Sequence, residues 1–365
     1  MKKIQVGIIF GGKSGEHEVS IISAKSVINA LDKEKYEAVP IFINKTGQWL
    51  IGFDQNLIQG KGAKQVYLPP DPTHNELVAV DKTTISHNGI DVIFPVLHGT
   101  YGEDGSVQGL LELADIPYVG AGVAASAVGM DKDLMKKIFK SVNLPVTEYI
   151  VFFRSQIKDN LDKVVAEVAK ELQYPVFIKP ANLGSSVGIT KAHNEEELRT
   201  GVKLAARYDR KTIVEQGIEN AREIEVAIFG NDNPEVSVCG EIIPSKEFYD
   251  YEDKYILDKA KLLIPASISD DQAKKILGLA MDAYKSIDCS GMARADFLYD
   301  SKKNKVYIME VNTIPGFTSI SMYPKLWEKS GLAYPKLIDR LIKLAIERYN
   351  DKKLNKTNFP SKLLT

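Results

Sequence analysis

ARADFLYDSKKNKVYIMEVN, residues 293–312, contains two β-rich runs separated by the polar turn SKKNK, and this pattern predicts an antiparallel hairpin. Because side chains alternate along a strand, Arg294 and Asp296 point to the same side of the first run. Glu310 and Asn312 share one side of the second run in the same way. Asp296, Glu310 and Asn312 can therefore bring hard oxygen ligands together, which suits magnesium held with nucleotide phosphates. The alternative interpretation is a solvent-facing edge hairpin with scattered charges.

A glycine- and serine-rich loop follows an apolar strand in IKPANLGSSVG, residues 178–188. The glycines, Ser185 and Ser186 allow backbone N–H groups and hydroxyls to approach a phosphate closely. We therefore predict a flap over a triphosphate, although the stretch is not a Walker loop. A tight hairpin turn would also use glycine and serine, but it does not explain Lys179 at the end of the apolar strand.

Two loops near the N-terminus carry further candidate residues. GGKSGEHE, residues 11–18, places Glu16 at the start of a predicted helix just past a strand. Its carboxylate can bind a substrate ammonium or complement the helix dipole, and the local sequence alone favours the dipole. HGTYGEDG, residues 98–105, places His98 at a strand end, where functional groups of open α/β sheets gather. A structural histidine is the alternative there.

The stretch NTIPGFTSISMYP, residues 312–324, follows the second run of the hairpin directly. The backbone N–H of Gly316 and the small hydroxyls around it can form an anion pocket. The alternative is an ordinary proline-glycine turn. Residues 246–259, KEFYDYEDKYILDK, combine aromatic and charged side chains between two apolar runs, and we interpret this stretch as a lid that closes over a bound ligand.

The composition is that of an average globular protein of two or three domains: 365 residues, 44% hydrophobic and 26% charged, with a formal net charge of −1. A nucleic-acid or anionic-membrane partner normally requires a basic excess, so neither is expected. Cys239 and Cys289 form no disulfide framework and have no metal-ligand spacing. The N-terminal apolar run is too short for a signal sequence, and we expect a cytoplasmic protein.

The first third of the chain alternates strand and helix signals, which predicts an α/β unit with a parallel sheet. Its last strand is predicted at residues 116–120, IPYVG. No G-x-G-x-x-G motif is present, so a dinucleotide site is not expected. Residues 125–144 then have the pattern of one long amphipathic helix that stops at Pro145.

Two smaller α+β units follow, and together they suggest three domains. We predict an N-terminal α/β domain at residues 1–123, a central unit at 124–218 that contains the flap, and a C-terminal unit at 219–365 that contains the hairpin and the lid. No internal repeat or low-complexity segment is present.

Taken in this order, the motifs resemble the ATP-grasp superfamily, and more closely the D-alanine–D-alanine ligase family. The resemblance extends over residues 3–348 and is carried by GGKSGEHEVS, HGTYGEDG, IKPANLGSSVGI, FYDYEDKY, ARADF and EVNTIPGFTSISMYP. It implies an ATP-grasp fold with an N-terminal parallel-sheet domain. It also implies that ATP phosphorylates the carboxylate of one D-alanine and that the amine of a second D-alanine attacks the acylphosphate, for peptidoglycan synthesis.

The resemblance implies a role for each matching residue on the amino-acid side of the site. Glu16 would hold the first ammonium, and His98 would lie near that substrate. Arg294 and the Gly316 N–H would stabilise the developing oxyanion. Ser321 would receive the second carboxylate.

On the nucleotide side the family pattern implies contacts with ATP, two magnesium ions and a closing flap. The nucleotide would be surrounded by Lys132, Lys179, Ser186, Glu215, Glu223 and Lys254. The metal ligands would be Asp296, Glu310 and Asn312, with Mn²⁺ as an alternative ion. Ser185 and Tyr255 would hydrogen-bond towards Glu16 and close the flap and the lid over the site. The family is commonly homodimeric.

Two other functions remain open from the sequence. Relatives with the same fold make D-alanyl-D-serine or D-alanyl-D-lactate, and the D-lactate enzymes usually lack the tyrosine that Tyr255 provides. A nucleotide-binding regulator on an ATP-grasp scaffold is the non-enzymatic alternative. That alternative predicts erosion of the carboxylate set, whereas Asp296, Glu310 and Asn312 are all present.

Overall fold

The computed structural model describes residues 2–52, 63–73, 76–81, 89–244 and 261–356. Its first sheet has the strand order β5-β4-β3-β2-β1-β6, in which β1 pairs in parallel with β2 and β6 and the remaining pairs are antiparallel. The strands are β1 (Ile4–Gly11), β2 (Tyr36–Ile43), β3 (Trp49–Ile51), β4 (Lys64–Tyr67), β5 (Val78–Ala79) and β6 (Val92–Pro95). The predicted parallel sheet is thus confirmed for the three strands at one end of this sheet, β2, β1 and β6.

Helices α1 (His17–Ala30) and α2 (Ser106–Leu113) accompany this sheet, as predicted. The strand expected at residues 116–120 is wrong, because the chain there makes only one parallel bridge, between Ile93 and Tyr118. Pro117 has no N–H to donate, and Gly120 turns the chain away with φ +100°.

The long helix predicted at residues 125–144 is also wrong, since the structure has two helices, α3 (Val123–Met130) and α4 (Lys132–Ser141). Asp131 between them is extended, and its carboxylate accepts hydrogen bonds from the backbone N–H groups of Asp133 and Leu134. The same carboxylate pairs with Lys211 at 2.5 Å. An aspartate is a strong N-cap, so capping and the ion pair together interrupt an otherwise amphipathic pattern.

The second sheet is antiparallel, with the order β7-β10-β8-β9. Its strands are β7 (Tyr149–Phe153), β8 (Val176–Pro180), β9 (Thr190–Ala192) and β10 (Lys211–Gln216). Its helices are α5 (Arg154–Asp159), α6 (Leu161–Glu171) and α7 (Glu195–Tyr208). An apolar core forms between the sheet and its helices, and it leaves the loop between β8 and β9, which is the predicted flap, at the edge of the unit.

The third sheet is antiparallel, with the order β13-β12-β11-β14-β15. Its strands are β11 (Arg222–Gly230), β12 (Glu235–Ile243), β13 (Lys261–Leu263), β14 (Gly291–Asp300) and β15 (Lys305–Asn312), and its helices are α8 (Asp270–Ser286), α9 (Met322–Lys329) and α10 (Tyr334–Lys352). Alternate residues of β11 enter two different cores, with Val226 and Ile228 in one and Ala227 and Phe229 in the other. Both faces of this sheet are therefore buried, which explains the nearly continuous apolar run of β11.

The helix pair α3 and α4 packs on the third sheet. Met135 and Phe139 of α4 are fully buried in the core that includes Phe297 and Val311. At its other edge α4 contacts the second sheet through the backbone bond from Lys132 N to Ala181 O, 3.0 Å long. The division of the chain after residues 123 and 218 remains a prediction. Within the part of the chain that the structure describes, no helix combines the length and apolar character needed to cross a bilayer.

We predict that Asp131→Ala lowers the free energy of unfolding by more than the roughly 0.5–2 kcal/mol of a lost N-cap, because it also deprives buried Lys211 of a partner. Asp131→Asn keeps the cap acceptor and loses only the charge, so it should fall between wild type and the alanine variant. Urea unfolding monitored by circular dichroism measures both values. Equal stability of the alanine variant and wild type would contradict this origin of the helix break.

Candidate active site

Two neighbouring cavities lie where the three sheets meet. The inner cavity, about 120 Å³, includes Glu16 and His98 from the first sheet region and Arg294 from the third sheet. The outer cleft, about 620 Å³, runs between the second and third sheets and includes Lys179 and Asp296. Lys132, Glu225 and Glu310 line both spaces. A ligand in the outer cleft can therefore reach groups that also face the inner cavity.

The hairpin has the predicted arrangement of faces. Arg294 of β14 pairs with Asn312 of β15, and Asp296 pairs with Glu310, so the four side chains lie on one face. A bulge follows Asp296 and lets the rest of the hairpin keep its apolar side chains in the core. The interpretation as a solvent face is wrong, because Asp296 is buried and Glu310 lines both cavities.

Arg294 is the central cation of this face. Its guanidinium donates to both carboxylate oxygens of Asp296, at 2.7 and 2.6 Å, and lies 3.0 Å from a carboxylate oxygen of Glu225. Burial alone would lower the pKa of Arg294, but the two acids hold it well above its usual value. The forked contact also fixes the plane of the guanidinium at the wall of the inner cavity.

The oxygen donors of the hairpin fit a magnesium ion that shares its coordination with phosphate. Glu310 pairs with Lys132 at 3.3 Å, and the Asn312 amide oxygen accepts the Ile314 N–H at 3.1 Å. In the ranges that the structure describes, no group of three or more His, Cys, Asp or Glu side chains is gathered to hold a metal. An ion here would use Asp296, Glu310 and Asn312 and would need further oxygens from a ligand, as magnesium in nucleotide sites does.

The glycine-serine loop reaches across to the first sheet region. The Ser185 hydroxyl donates to the Glu16 carboxylate, although 169 residues separate the two. A Cβ on Gly184 would lie 3.1 Å from the same carboxylate, so a side chain there would push against Glu16. Ser185 and Ser186 have φ values of +51° and +58°, which non-glycine residues adopt at a cost. The loop thus closes over the inner cavity, as the flap interpretation predicts.

Glu16 is the N-cap residue of α1, but its side chain makes no capping hydrogen bond. The helix-dipole interpretation favoured by the local sequence does not explain a carboxylate that is buried and bonded to the flap. His17, the next residue, holds this turn through its ring Nδ1, 2.7 Å from the carbonyl oxygen of Gly12.

Glu103 is a site residue that the sequence analysis missed. Its carboxylate is buried in the inner cavity 3.7 Å from Nδ1 of His98, whose Nε2 lies 3.2 Å from the Ser23 hydroxyl. Burial lowers the pKa of His98, but Glu103, together with Glu16 and the backbone of Ile314, reverses this and the net pKa is raised. Burial also raises the pKa of Glu103. The sequence feature that could have identified Glu103 is its position five residues after His98 in the same glycine-bounded loop.

Lys136 of α4 was also missed, and it completes a charge network below the outer cleft. Its ammonium group is fully buried 3.5 Å from the Glu215 carboxylate oxygen that Lys179 contacts at 3.1 Å. Burial raises the pKa of Glu215, but Lys136, Lys179 and Lys132 together lower it by more, and the net pKa is lowered. Burial lowers the pKa of Lys136. The other Glu215 oxygen is buried without a hydrogen-bond partner among the described residues.

The loop after β15 forms the far wall of the inner cavity. The Ser321 hydroxyl accepts the Thr318 N–H at 3.0 Å and lies 2.8 Å from the Thr318 hydroxyl. A Cβ on Gly316 would lie 2.7 Å from the Ser321 hydroxyl, so a side chain at Gly316 would displace that group. Glycine therefore keeps both its own backbone and the Ser321 hydroxyl close to the cavity.

Most of the candidate residues are thus brought together at the two spaces. Those that line the inner cavity are Glu16, His98, Lys132, Ser185, Arg294, Glu310, Asn312, Gly316 and Ser321. Those that line the outer cleft are Lys132, Lys179, Ser186, Glu215, Glu223, Asp296 and Glu310. Lys254 and Tyr255, with the rest of the predicted lid, lie outside the described residues.

The arrangement suits the joining of two charged small molecules with the help of a polyphosphate. The outer cleft is lined by both lysines and hard oxygen donors, which matches a nucleotide with its metal. In the inner cavity Glu16 can bind an ammonium, and Arg294 can stabilise a negative oxygen. A carboxylate substrate between them would lie next to the end of the outer cleft.

Comparison with family models places the whole chain in one family. The model described as "D-ala D-ala ligase N-terminus" matches residues 5–121, and "D-ala D-ala ligase C-terminus" matches residues 138–343. The chain is 49% identical over 366 residues to the D-alanine--D-alanine ligase of Chloroherpeton thalassium, with 98% of this chain and 100% of the relative covered. It is 50% identical to that of Natranaerobius thermophilus, covering 98% and 99%.

Solved structures show the same likeness. The D-alanine-D-alanine ligase from Coxiella burnetii matches with a TM-score of 0.85 and 37% identity, over 97% of both chains. The VanG D-Ala:D-Ser ligase from Enterococcus faecalis matches with a TM-score of 0.84 and 35% identity, over 94% of this chain and 100% of that one.

We predict that Glu103→Gln moves the titration of His98 to lower pH, because Glu103 opposes the effect of burial on the pKa of His98 more than any other group does. A raised pKa means that the His98–Glu103 pair stabilises the folded protein at low pH and loses this effect as pH rises through the folded pKa. The variant should therefore lose more unfolding free energy at about pH 5.5 than at about pH 9.

NMR titration of the histidine ring resonances and urea unfolding at the two pH values measure these effects. Glu18→Gln, which removes an exposed carboxylate paired with Lys45, is the matched control and should leave His98 unchanged. A His98 pKa that is equal or higher in Glu103→Gln would show that Glu103 does not control the charge of the ring.

Proposed function

The chain belongs to the D-alanine–D-alanine ligase family, an ATP-dependent ligase family, and we propose that its inner cavity and outer cleft carry out the reaction with the residues described above. The observation that carries the proposal is the face shared by Arg294, Asp296, Glu310 and Asn312, which lies between an ammonium-binding Glu16 and a nucleotide-sized cleft. The product is D-alanyl-D-alanine, a precursor of peptidoglycan.

The first D-alanine binds in the inner cavity. Its ammonium group pairs with Glu16, whose carboxylate is already oriented by the Ser185 hydroxyl. Glu103 lies 3.7 Å from His98 and raises its pKa, which favours a positive charge in the same cavity. The substrate carboxylate then points towards the border with the outer cleft, where ATP ends. This orientation brings the two reacting groups together before any bond changes.

ATP lies in the outer cleft, with Lys132, Lys179, Ser186, Glu215 and Glu223 around it. A carboxylate oxygen of the first D-alanine attacks the γ-phosphorus, the bond to the β–γ bridging oxygen breaks, and ADP leaves. Asp296, Glu310 and Asn312 would hold magnesium, which would neutralise charge on the phosphates. By family resemblance, Lys254 serves the γ-phosphate.

The second D-alanine completes the reaction. Ser321 binds its carboxylate, and its amine, once it has lost a proton, attacks the acyl carbon of the acylphosphate. Arg294 and the Gly316 N–H stabilise the oxyanion of the tetrahedral intermediate, and the bond to phosphate then breaks. Asp296 and Glu225 hold the Arg294 guanidinium in place for this task. By resemblance, Tyr255 joins Ser185 in closing the site.

D-alanine is preferred to D-serine as the second substrate because relatives at about 50% identity are named D-alanine--D-alanine ligases, whereas the D-Ala:D-Ser ligase structure is 35% identical. A reaction that consumes ATP favours the cytoplasm as its location. We further propose a homodimer, as is common in the family, which light scattering after size-exclusion chromatography would test.

We predict D-alanine-dependent release of ADP, inorganic phosphate and D-alanyl-D-alanine when the protein is mixed with ATP, Mg²⁺ and D-alanine. Glu310→Gln should lower kcat by about 10²-fold or more, because it removes a charged metal ligand beside the reacting phosphate. A coupled ADP assay, with chromatography of the dipeptide, measures both.

Glu235→Gln, which changes an exposed carboxylate in the same sheet, is the control and should retain activity within about twofold. ADP release that does not depend on D-alanine would overturn the proposed reaction. Near-normal activity of Glu310→Gln would instead overturn only the assignment of the metal ligands.

A further inference from the structure

The first and third sheet regions touch backbone to backbone at two glycines that line neither cavity. A Cβ on Gly291 would lie 2.9 Å from the carbonyl oxygen of Gly120 and 3.0 Å from its Cα. Both residues have positive φ, +100° for Gly120 and +73° for Gly291. A side chain at Gly291 would displace the backbone of Gly120, so the two segments meet in one closely defined geometry. We call this contact between Gly120 and Gly291 the crossing.

Arg348 of α10 fastens this crossing. Its Nη1 donates to the Gly120 carbonyl and to the Ser290 hydroxyl at 2.7 Å, and its Nη2 donates to the Tyr118 carbonyl at 3.1 Å. The guanidinium also stacks on the Tyr118 ring, 4.4 Å from the centroid. Within the described ranges Arg348 forms no ion pair with a carboxylate. Its N–H groups instead donate to the backbone carbonyls of Tyr118 and Gly120 and to the hydroxyl of Ser290, the residue before β14.

The crossing lies at the start of the strand that carries the oxyanion-stabilising group. Gly291 begins β14, and Arg294 follows three residues later on a strand held rigidly between β11 and β15. On the other side, Tyr118 bridges to Ile93 of β6, and the loop directly after β6 carries His98. A shift at the crossing would therefore change the separation of Arg294 from the groups that the first sheet region contributes.

The inner and outer spaces depend on this crossing to different extents. The inner cavity combines the first sheet region with the third sheet, so its width follows their relative position. The outer cleft is lined by α4 and by the second and third sheets, without any residue of the first sheet region. Loosening the crossing should consequently affect the first amino-acid substrate and leave the nucleotide site intact.

We propose that Arg348 is a positioning residue for the first D-alanine and sets the distance between Glu16 and Arg294. The inference rests on the proposed function and adds to it a residue outside both cavities. A residue that only stabilised the fold would change Tm without changing the Michaelis constant of one particular substrate.

The test uses Arg348→Lys, which keeps the charge and loses the planar fork, in the full-length enzyme. Initial rates across a D-alanine series, fitted to a two-site rate law, give the Michaelis constants of the first and second D-alanine, and an ATP series gives that of the nucleotide. We expect the constant for the first D-alanine to rise about tenfold, because a misplaced binding group weakens only the substrate it contacts. The constant for ATP should stay within about twofold of wild type.

Two further variants separate positioning from stability. Arg340→Met, on the exposed side of the same helix, removes a cation that pairs with Glu235 and stacks on Phe229, and it should leave all three constants unchanged whatever happens to Tm. Gly291→Ala leaves Arg348 intact but adds a methyl group at the crossing, and it should reproduce the selective rise for the first D-alanine.

A parallel rise in the constants for ATP and the first D-alanine, or a fall in Tm with all three unchanged, would overturn the role of Arg348. Failure of wild type to release ADP in response to D-alanine would overturn the proposed function and this inference with it. The results that overturn the role of Arg348 do not affect the ligase activity of wild type. Failure of the further inference can therefore be distinguished from failure of the proposed function.

Discussion

The register of β14 against β15 is the constraint on which the site depends. Arg294 opposite Asn312 and Asp296 opposite Glu310 place a cation and three oxygen donors on one face, while Ala295 and Val311 enter the core behind them. A slip of one residue would exchange these two sets and bury the charges in the apolar core. Because the apolar face is so well packed, the same hydrophobic contacts that stabilise the hairpin also fix the polar face that faces the ligands.

Charge balance is the second organising feature. Four acids of the site each face a cation: Asp296 and Glu225 face Arg294, Glu310 faces Lys132, and Glu215 faces Lys136 and Lys179. Ion pairs of this kind contribute little net stability once desolvation is counted. Their value here is geometric, because charged groups already held in place need no reorganisation when phosphates and an oxyanion arrive.

The sequence predicted those parts of the site that depend on local periodicity. The shared face of the hairpin follows from the two-residue repeat of a strand, and the flap follows from glycine and serine after an apolar strand. Glu103 was missed because its partner lies across an irregular loop that has no repeat. The break between α3 and α4 depends on Lys211, 80 residues from Asp131 along the chain. The link from Glu16 to Ser185 spans 169 residues and has no local signal, so it was predicted only from the family resemblance.

The most direct measurement is a crystal structure of the protein with a non-hydrolysable ATP analogue and Mn²⁺, with the metal located by anomalous scattering. The account predicts the nucleotide in the cleft between the second and third sheets, with Lys179 beside it. It also predicts an anomalous peak within coordination distance of Asp296, Glu310 or Asn312 and of the terminal phosphates. A metal bound elsewhere, or a nucleotide outside this cleft, would contradict the account.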